Sequence, residues 1–261
     1  MNAGVPDLAR IPAGDFLMGT SDAAGDQRPV HRVHVSEFLI GRFAVTHDQY
    51  ARFIRAAGRA APGVRTVPLV ATGERDETFR TMAAPYAWTD NQPPPSLGAH
   101  PVVLVTREDA TAYCDWLSFE HRRPFRLPTE AEWERAARGG VDGQRYPWGE
   151  ALDAHYCNFL ADPATKMHRG TRPTGTYPPN GFGLYDMIGN VWEWVSDWYS
   201  ADYYASGAAH DPRGPQSGTL RLVRGGAWVN DDPDLLCTAY RHAVPPDTYA
   251  YSIGFRIACS G

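Results

Sequence analysis

Apolar positions recur at helical spacing in three places, each entered through a threonine. Tyr50, Phe53 and Ile54 form one stripe, Tyr113, Trp116 and Leu117 a second, and Trp133 and Ala136 a third. Steps of three and four residues put such side chains on one face of a helix. Ahead of each stripe stands a capping box: Thr46 with Gln49, Thr106 with Asp109, Thr129 with Glu132. In that box the threonine hydroxyl accepts from a first-turn N–H while the third residue reaches back to the cap. Arg122-Arg123-Pro124 ends the second helix and Gly139-Gly140 the third. Elsewhere the pattern is short and strand-like. Residues 30–35 alternate, 102–105 are continuously apolar, 220–223 lead into Gly225-Gly226, and 252–258 read as a closing strand.

Between these elements lie long polar stretches. Residues 56–99 form an insertion containing Pro93-Pro94-Pro95, and 141–182 are loop-rich. The 25 glycines and 22 prolines exceed what a helix bundle tolerates, so the expected class is α+β: loop-rich, with small sheets and few helices. Hydrophobic content of 43% supports a sizeable core, and no linker interrupts the pattern, so residues 1–261 read as one domain. Net charge of −5 argues against nucleic acid or an anionic membrane as partner. No apolar run of signal or membrane-spanning length occurs, which makes a cytoplasmic location the expectation. Cys114, Cys157, Cys237 and Cys259 match no zinc or CxxC spacing and read as reduced thiols, although one bridge among them stays open.

The densest chemistry lies at 189–199, where Trp192, Trp194, Trp198 and Tyr199 surround Glu193. A carboxylate between two indoles costs several kcal/mol unless paired. Two partners are open: a cation, which oxygen ligands would make calcium, or a buried arginine such as Arg224 or Arg256. His31 and His34 fall on opposite faces of an alternating strand and do not chelate together, and His31 reads as satisfied by a local hydrogen bond. No catalytic-triad order, phosphate loop or dinucleotide fingerprint is present.

Residues 183–194, reading Gly-Leu-Tyr-Asp-Met-Ile-Gly-Asn-Val-Trp-Glu-Trp, resemble the signature of the formylglycine-generating, or sulfatase-modifying factor, family. Further matches occur in the family's order at 11–19, 100–103, 126–134, 146–149, 224–228 and 253–256. The resemblance spans about 8–258 and implies a C-type-lectin-like fold. It also tips Glu193 toward calcium, with the carbonyls of Ile188, Gly189 and Val191 as co-ligands. A second family site would use Asn158 and the carbonyl of Phe159, but its aspartate falls near Lys166, which cannot ligate a cation. Catalytic members hold copper(I) between two cysteines. Here the first position falls on Asn230 and the second on Cys237, with a loop between them about two residues longer than in catalytic members. An amide does not replace a thiolate for copper(I), so the standard site is broken and Cys237 reads as a buried small residue.

His242 would face the same cleft, and with Asp231, Asp232 or Asp234 it would offer iron or copper only a sparse donor set. Trp194, Trp228, Tyr240, Arg241 and Tyr249 form a candidate surface for a small-molecule or peptide ligand, since Tyr and Trp give contact area at low entropic cost. The leading expectation is a metal-dependent oxidoreductase relative acting on a small molecule or peptide residue, distinct from a formylglycine-generating oxidase. The alternative is a non-catalytic ligand-binding module of the variable-protein type, using the aromatic C-terminal cleft.

Overall fold

The computed structural model describes residues 6–22, 25–64, 76–160 and 170–261. The three threonine-led helices form where the stripes place them: α1 (His47–Ala57), α3 (Arg107–His121) and α4 (Glu130–Arg138). Each begins with a complete capping box. Gly58 and Gly139 close α1 and α4 in the left-handed conformation, and Arg122 closes α3 the same way. The insertion contains a further helix, α2 (Asp76–Ala83), followed by a 3-10 turn at Ala84–Tyr86. A one-turn helix, α5 (Tyr203–Ser206), completes the set.

Among the described residues, ten short strands build three sheets: β1 (Leu8–Ile11), β2 (Gly14–Met18), β3 (His31–Val35), β4 (Phe38–Gly41), β5 (Phe125–Arg126), β6 (Trp192–Trp198), β7 (Arg221–Arg224), β8 (His242–Val244), β9 (Ile253–Phe255) and β10 (Ala258–Ser260). The orders are β1-β4-β10-β5, β2-β3 and β8-β7-β6-β9. Every pairing is antiparallel except β6 with β9. This is the α+β class expected, with its few helices and small sheets.

Two strand expectations differ from the structure. Residues 102–105 are buried but form no ladder, because Leu104 takes a left-handed φ of 62°. Their amides bond outward instead, Val102 N to Val45 O at 2.8 Å and Leu104 N to Ala250 O at 3.0 Å. The closing strand is two strands, β9 and β10, separated by Arg256 and Ile257.

The third sheet divides the interior. Trp192, Trp194, Val223 and Phe255 face one apolar cluster together with the stripes of α1 and α3. Val195 and Leu222 face the other, which holds Trp133, Ala136 and Ala137 of α4. Strand alternation thus sends Glu193 away from its flanking tryptophans and toward α4. The four cysteines are free and buried.

Candidate functional site

Glu193 is 1% exposed, and both its oxygens are engaged by side chains. Arg256 donates Nε to Oε2 at 2.6 Å and Nη2 to Oε1 at 2.7 Å, and Trp133 Nε1 donates to Oε2 at 2.7 Å. Of the two arginines considered from sequence, Arg256 is the partner. Its fork also reaches the carbonyls of Gly41 and Tyr185, each at 3.0 Å. The ion pair therefore satisfies the carboxylate without a metal, and calcium here would share Glu193 rather than be its sole partner.

The backbone before Glu193 has its own features. Gly189 and Asn190 both take left-handed φ, 78° and 63°. A Cβ on Gly189 would come within 2.5 Å of the Asn158 carbonyl, so no larger residue fits. Asn190 ties this turn to its neighbours. Its amide donates to Asn158 O at 2.8 Å, its carbonyl accepts from Trp228 at 3.1 Å, and its Oδ1 accepts from Arg172 N at 2.9 Å and Asn158 Nδ2 at 3.2 Å. The carbonyls of Ile188, Gly189 and Val191 accept no loop hydrogen bond among the described residues. Buried carbonyls normally have partners, and oxygen donors of this kind suit a hard cation. For the second family site, Asn158 donates Nδ2 to Gly170 O at 3.0 Å and to Asn190, and Phe159 packs against the second core. The third position, at Lys166, lies outside the described residues.

The copper positions do not fit copper(I). Asn230 uses Oδ1 to accept from Ala227 N at 2.8 Å, closing its own turn, and its carbonyl accepts from Leu160 N at 2.9 Å. Cys237 is 7% exposed; its thiol lies 3.3 Å from the Asp234 carbonyl, to which it donates. Burial pushes the Cys237 pKa up, against the opposing effect of the Ala239 and Tyr240 amides. A protonated thiol beside a committed amide is a poor site for a soft ion. Two acids of that loop are committed as well: Asp234 pairs with Arg145, and Asp232 Oδ1 accepts from the Asp234 amide. Among the described residues no three His, Cys, Asp or Glu side chains converge to hold a metal. His242 instead lies among rings, 4.9 Å from Trp192 and 6.3 Å from Tyr240 between centroids, and burial lowers its pKa.

The ligand-surface candidates separate. Trp194 is wholly buried, with Nε1 donating to Val105 O, and belongs to the core. Arg241 is also internal: it donates to Glu130 Oε1 at 2.8 Å and Oε2 at 3.1 Å, and lies over Tyr204 and Tyr199. Neither presents itself to a ligand. Trp228 packs against Tyr86 and Tyr251. Tyr249 packs edge-on to Phe79 and lines an open cavity. Tyr240, half-buried, forms with Trp192 and His242 the most accessible aromatic group of the set.

Sequence reasoning missed a buried ionic network. Arg224 joins Glu130 and Glu134, each at 2.7 Å, Arg138 holds Glu134 at 2.6 Å, and Arg241 closes on Glu130. Burial alone would raise the Glu134 pKa, but Arg138 and Arg224 hold it below the carboxylate norm. Glu130 and Glu134 are one helical turn apart on α4, a visible spacing, yet Arg224 and Arg241 come to them from 90 or more residues away. Asp186 was also passed over. It is 7% exposed, its Oδ1 has no partner, and burial lifts its pKa to about 6.

Comparison with known proteins bears on these sites. A family model described as "Sulfatase-modifying factor enzyme 1-like domain" matches residues 2–260. The formylglycine-generating enzyme of Thermomonospora curvata is 38% identical over 292 residues, covering 96% of this chain and 92% of that protein. PvdO from Pseudomonas aeruginosa superposes with a TM-score of 0.80 at 29% identity, covering 98% of this chain and 95% of the other. Treponema denticola variable protein 1 superposes at 0.75 with 25% identity, covering 97% and 95%.

Proposed function

This chain belongs to the sulfatase-modifying factor family, and from that premise we propose that it binds a small-molecule or peptide ligand without formylglycine-generating activity. One observation carries the reading: Asn230 is spent closing its own turn, while Cys237 is a buried thiol with a raised pKa. The two-thiolate chemistry for copper(I) is absent from these positions. The half-buried Tyr240 and His242, backed by the buried ring of Trp192, support a binding role, because rigid rings with polar ends give contact area and hydrogen bonding together. The likeness to a variable protein of the same fold agrees with it. Calcium belongs to the proposal as a structural ion on the carbonyls of Ile188, Gly189 and Val191, beside Glu193.

A second reading, an oxidoreductase using another metal, draws on the 38% identity to a formylglycine-generating enzyme across nearly the whole chain. The two separate in one experiment. Copper-loaded protein is mixed with a Cys-x-Pro-x-Arg peptide while oxygen uptake and the peptide's mass are followed, and the native protein's metal content is measured. The expected result is no turnover and no stoichiometric redox metal, together with thermal-shift hits from a panel of aromatic and peptidic compounds that disappear in Tyr240→Ala. Turnover that Cys237→Ala abolishes would restore the formylglycine reading. Stoichiometric redox metal with oxygen uptake independent of Cys237 would favour the other oxidoreductase.

A further inference from the structure

Arg107, in the first turn of α3, and Arg221, at the start of β7, converge on one acceptor. Arg107 Nη2 donates to the Ser196 carbonyl at 3.1 Å, and Arg221 Nη1 donates to the same oxygen at 2.7 Å. The deeply buried arginines Arg138, Arg224 and Arg256 each pair with a glutamate. Neither Arg107 nor Arg221 has an ion pair among the described residues, and the Nε of each is buried without a partner. Arg221 lies flat on Trp198, 3.3 Å from the ring centroid, which fixes its plane. Burial and then the charge of Arg107 lower the Arg221 pKa to about 10, so both remain cations at neutral pH. The charge of Asp197 acts on both arginines and offsets part of their repulsion without forming an ion pair with either, and two half-buried like charges sharing one neutral carbonyl remain an arrangement that a further anion would relieve.

Both arginines line an open cavity of about 460 Å³ with Thr106, Glu108, Thr111, Pro246, Asp247 and Tyr249. We infer that this cavity binds the carboxylate of a small organic acid. Each guanidinium spends one Nη on Ser196 and keeps the other for a ligand oxygen, the geometry that suits planar carboxylates. Pro246 and Tyr249 give the rest of the molecule an apolar wall. A volume in the range of roughly 300–1,000 Å³ is that of a small-molecule site rather than of a bare ion. Glu108 and Asp247 are exposed and carry negative charge at the same cavity, so a dianion is disfavoured and a monocarboxylate favoured over phosphate. The site is distinct from the aromatic group of the proposed function. In the β7–β8 ladder Arg221 pairs with Val244 while His242 pairs with Val223, at the other end.

The test is calorimetric titration of the whole protein with benzoate, and separately with inorganic phosphate. Benzoate is expected to bind saturably, one per chain and more tightly than phosphate. Arg107→Gln and Arg221→Gln should each weaken it by about tenfold or more, the loss of one charge-assisted bond. Glu108→Gln, an exposed change, should tighten it. Because Arg221 also stacks on Trp198, its variant is read only if its melting curve stays cooperative; Arg107→Gln and Glu108→Gln, with shifts of opposite sign, carry the test otherwise. No saturable benzoate binding, binding indifferent to Arg107 and Glu108, or phosphate binding the tighter would each overturn the assignment.

Discussion

At Glu193 a single residue shows how far a sequence reading reaches. That a carboxylate between two indoles needs a partner follows from the cost of burying charge, and the structure supplies Arg256 and Trp133. Which arginine answers does not follow, because β6 pairs Glu193 in register with Arg224 while the side chain reaches Arg256 beyond the neighbouring strand. Removing the charge should therefore be costly. Glu193→Gln leaves the Arg256 guanidinium buried and unpaired and is expected to destabilise by about 3–5 kcal/mol in denaturant melts. Trp133→Phe, which removes one bond to the carboxylate and little volume, should cost about 1.5–3 kcal/mol. A near-neutral Glu193→Gln would mean that the pair is not formed in solution. Calcium is tested at the same residue. An ion held at a hundredfold excess over its dissociation constant adds about 3 kcal/mol, so a chelator should lower the melting temperature of wild type and leave Glu193→Gln unmoved. An unmoved wild type would assign Glu193 to Arg256 alone. At Asn230 and Cys237 the expectation came from residue type alone: the resemblance places a thiolate where this chain has an amide, a comparison that needs no geometry.

Elements were legible where a local device marks them. The threonine boxes located α1, α3 and α4 because cap and stripe are both written within a few residues. Helix α2 was missed since it sits inside the long insertion, where no apolar stripe was singled out. Residues 102–105 read as a strand because their apolar run is continuous, but the left-handed turn at Leu104 is set by packing that the run does not encode. At α4 the structure adds a second contact to the capping box. Thr129 Oγ1 accepts from Glu132 N at 3.1 Å, and Glu132 Oε2 accepts from Thr129 N at 2.8 Å, completing the box. Glu132 in addition holds Arg126 through both oxygens, at 2.6 and 2.7 Å. Thr129→Ala should cost about 1 kcal/mol, the usual value of an N-cap. Glu132→Ala should cost more than Thr129→Ala, since it removes both the return half of the box and the Arg126 pair. The double variant should cost less than the sum, because the two share one reciprocal contact. Additive denaturant midpoints would show that the box contributes nothing as a unit.

For the molecule as a whole, the class and the family were readable because motifs spread over most of the chain recur in order, whereas the ionic interior was not, because its partners meet only after the sheets assemble. That interior makes global stability depend on pH in two opposed ways. His47 is completely buried, with Trp88 donating to its Nδ1 at 3.1 Å, and burial lowers its pKa to about 3. Its folded value lies below the unfolded one, so the stability it contributes is present above pH 6.5 and is lost as pH falls toward 3. Asp197 is the reverse. Burial first, and the neighbouring charge of Glu130 second, raise its pKa to about 7, although its Oδ2 accepts from the Glu130 amide at 2.9 Å and the Ser196 hydroxyl at 2.9 Å. With the folded value above the unfolded 3.8, its contribution is present in acid and is lost as pH rises through 7. Wild-type stability alone would mix the two, but variants separate them. Between pH 8 and pH 5, His47→Gln should gain on wild type by about 2 kcal/mol, and Asp197→Asn should fall behind it by about 3 kcal/mol, from urea melts at each pH. Asn at 197 keeps an oxygen to accept both hydrogen bonds, so the difference reports the charge rather than a broken contact. A variant whose curve stays parallel to wild type between these pH values would mean that its group titrates near its ordinary value in the folded protein, and that the interior around it, at α1 for His47 or at β6 for Asp197, is better solvated than its packing indicates.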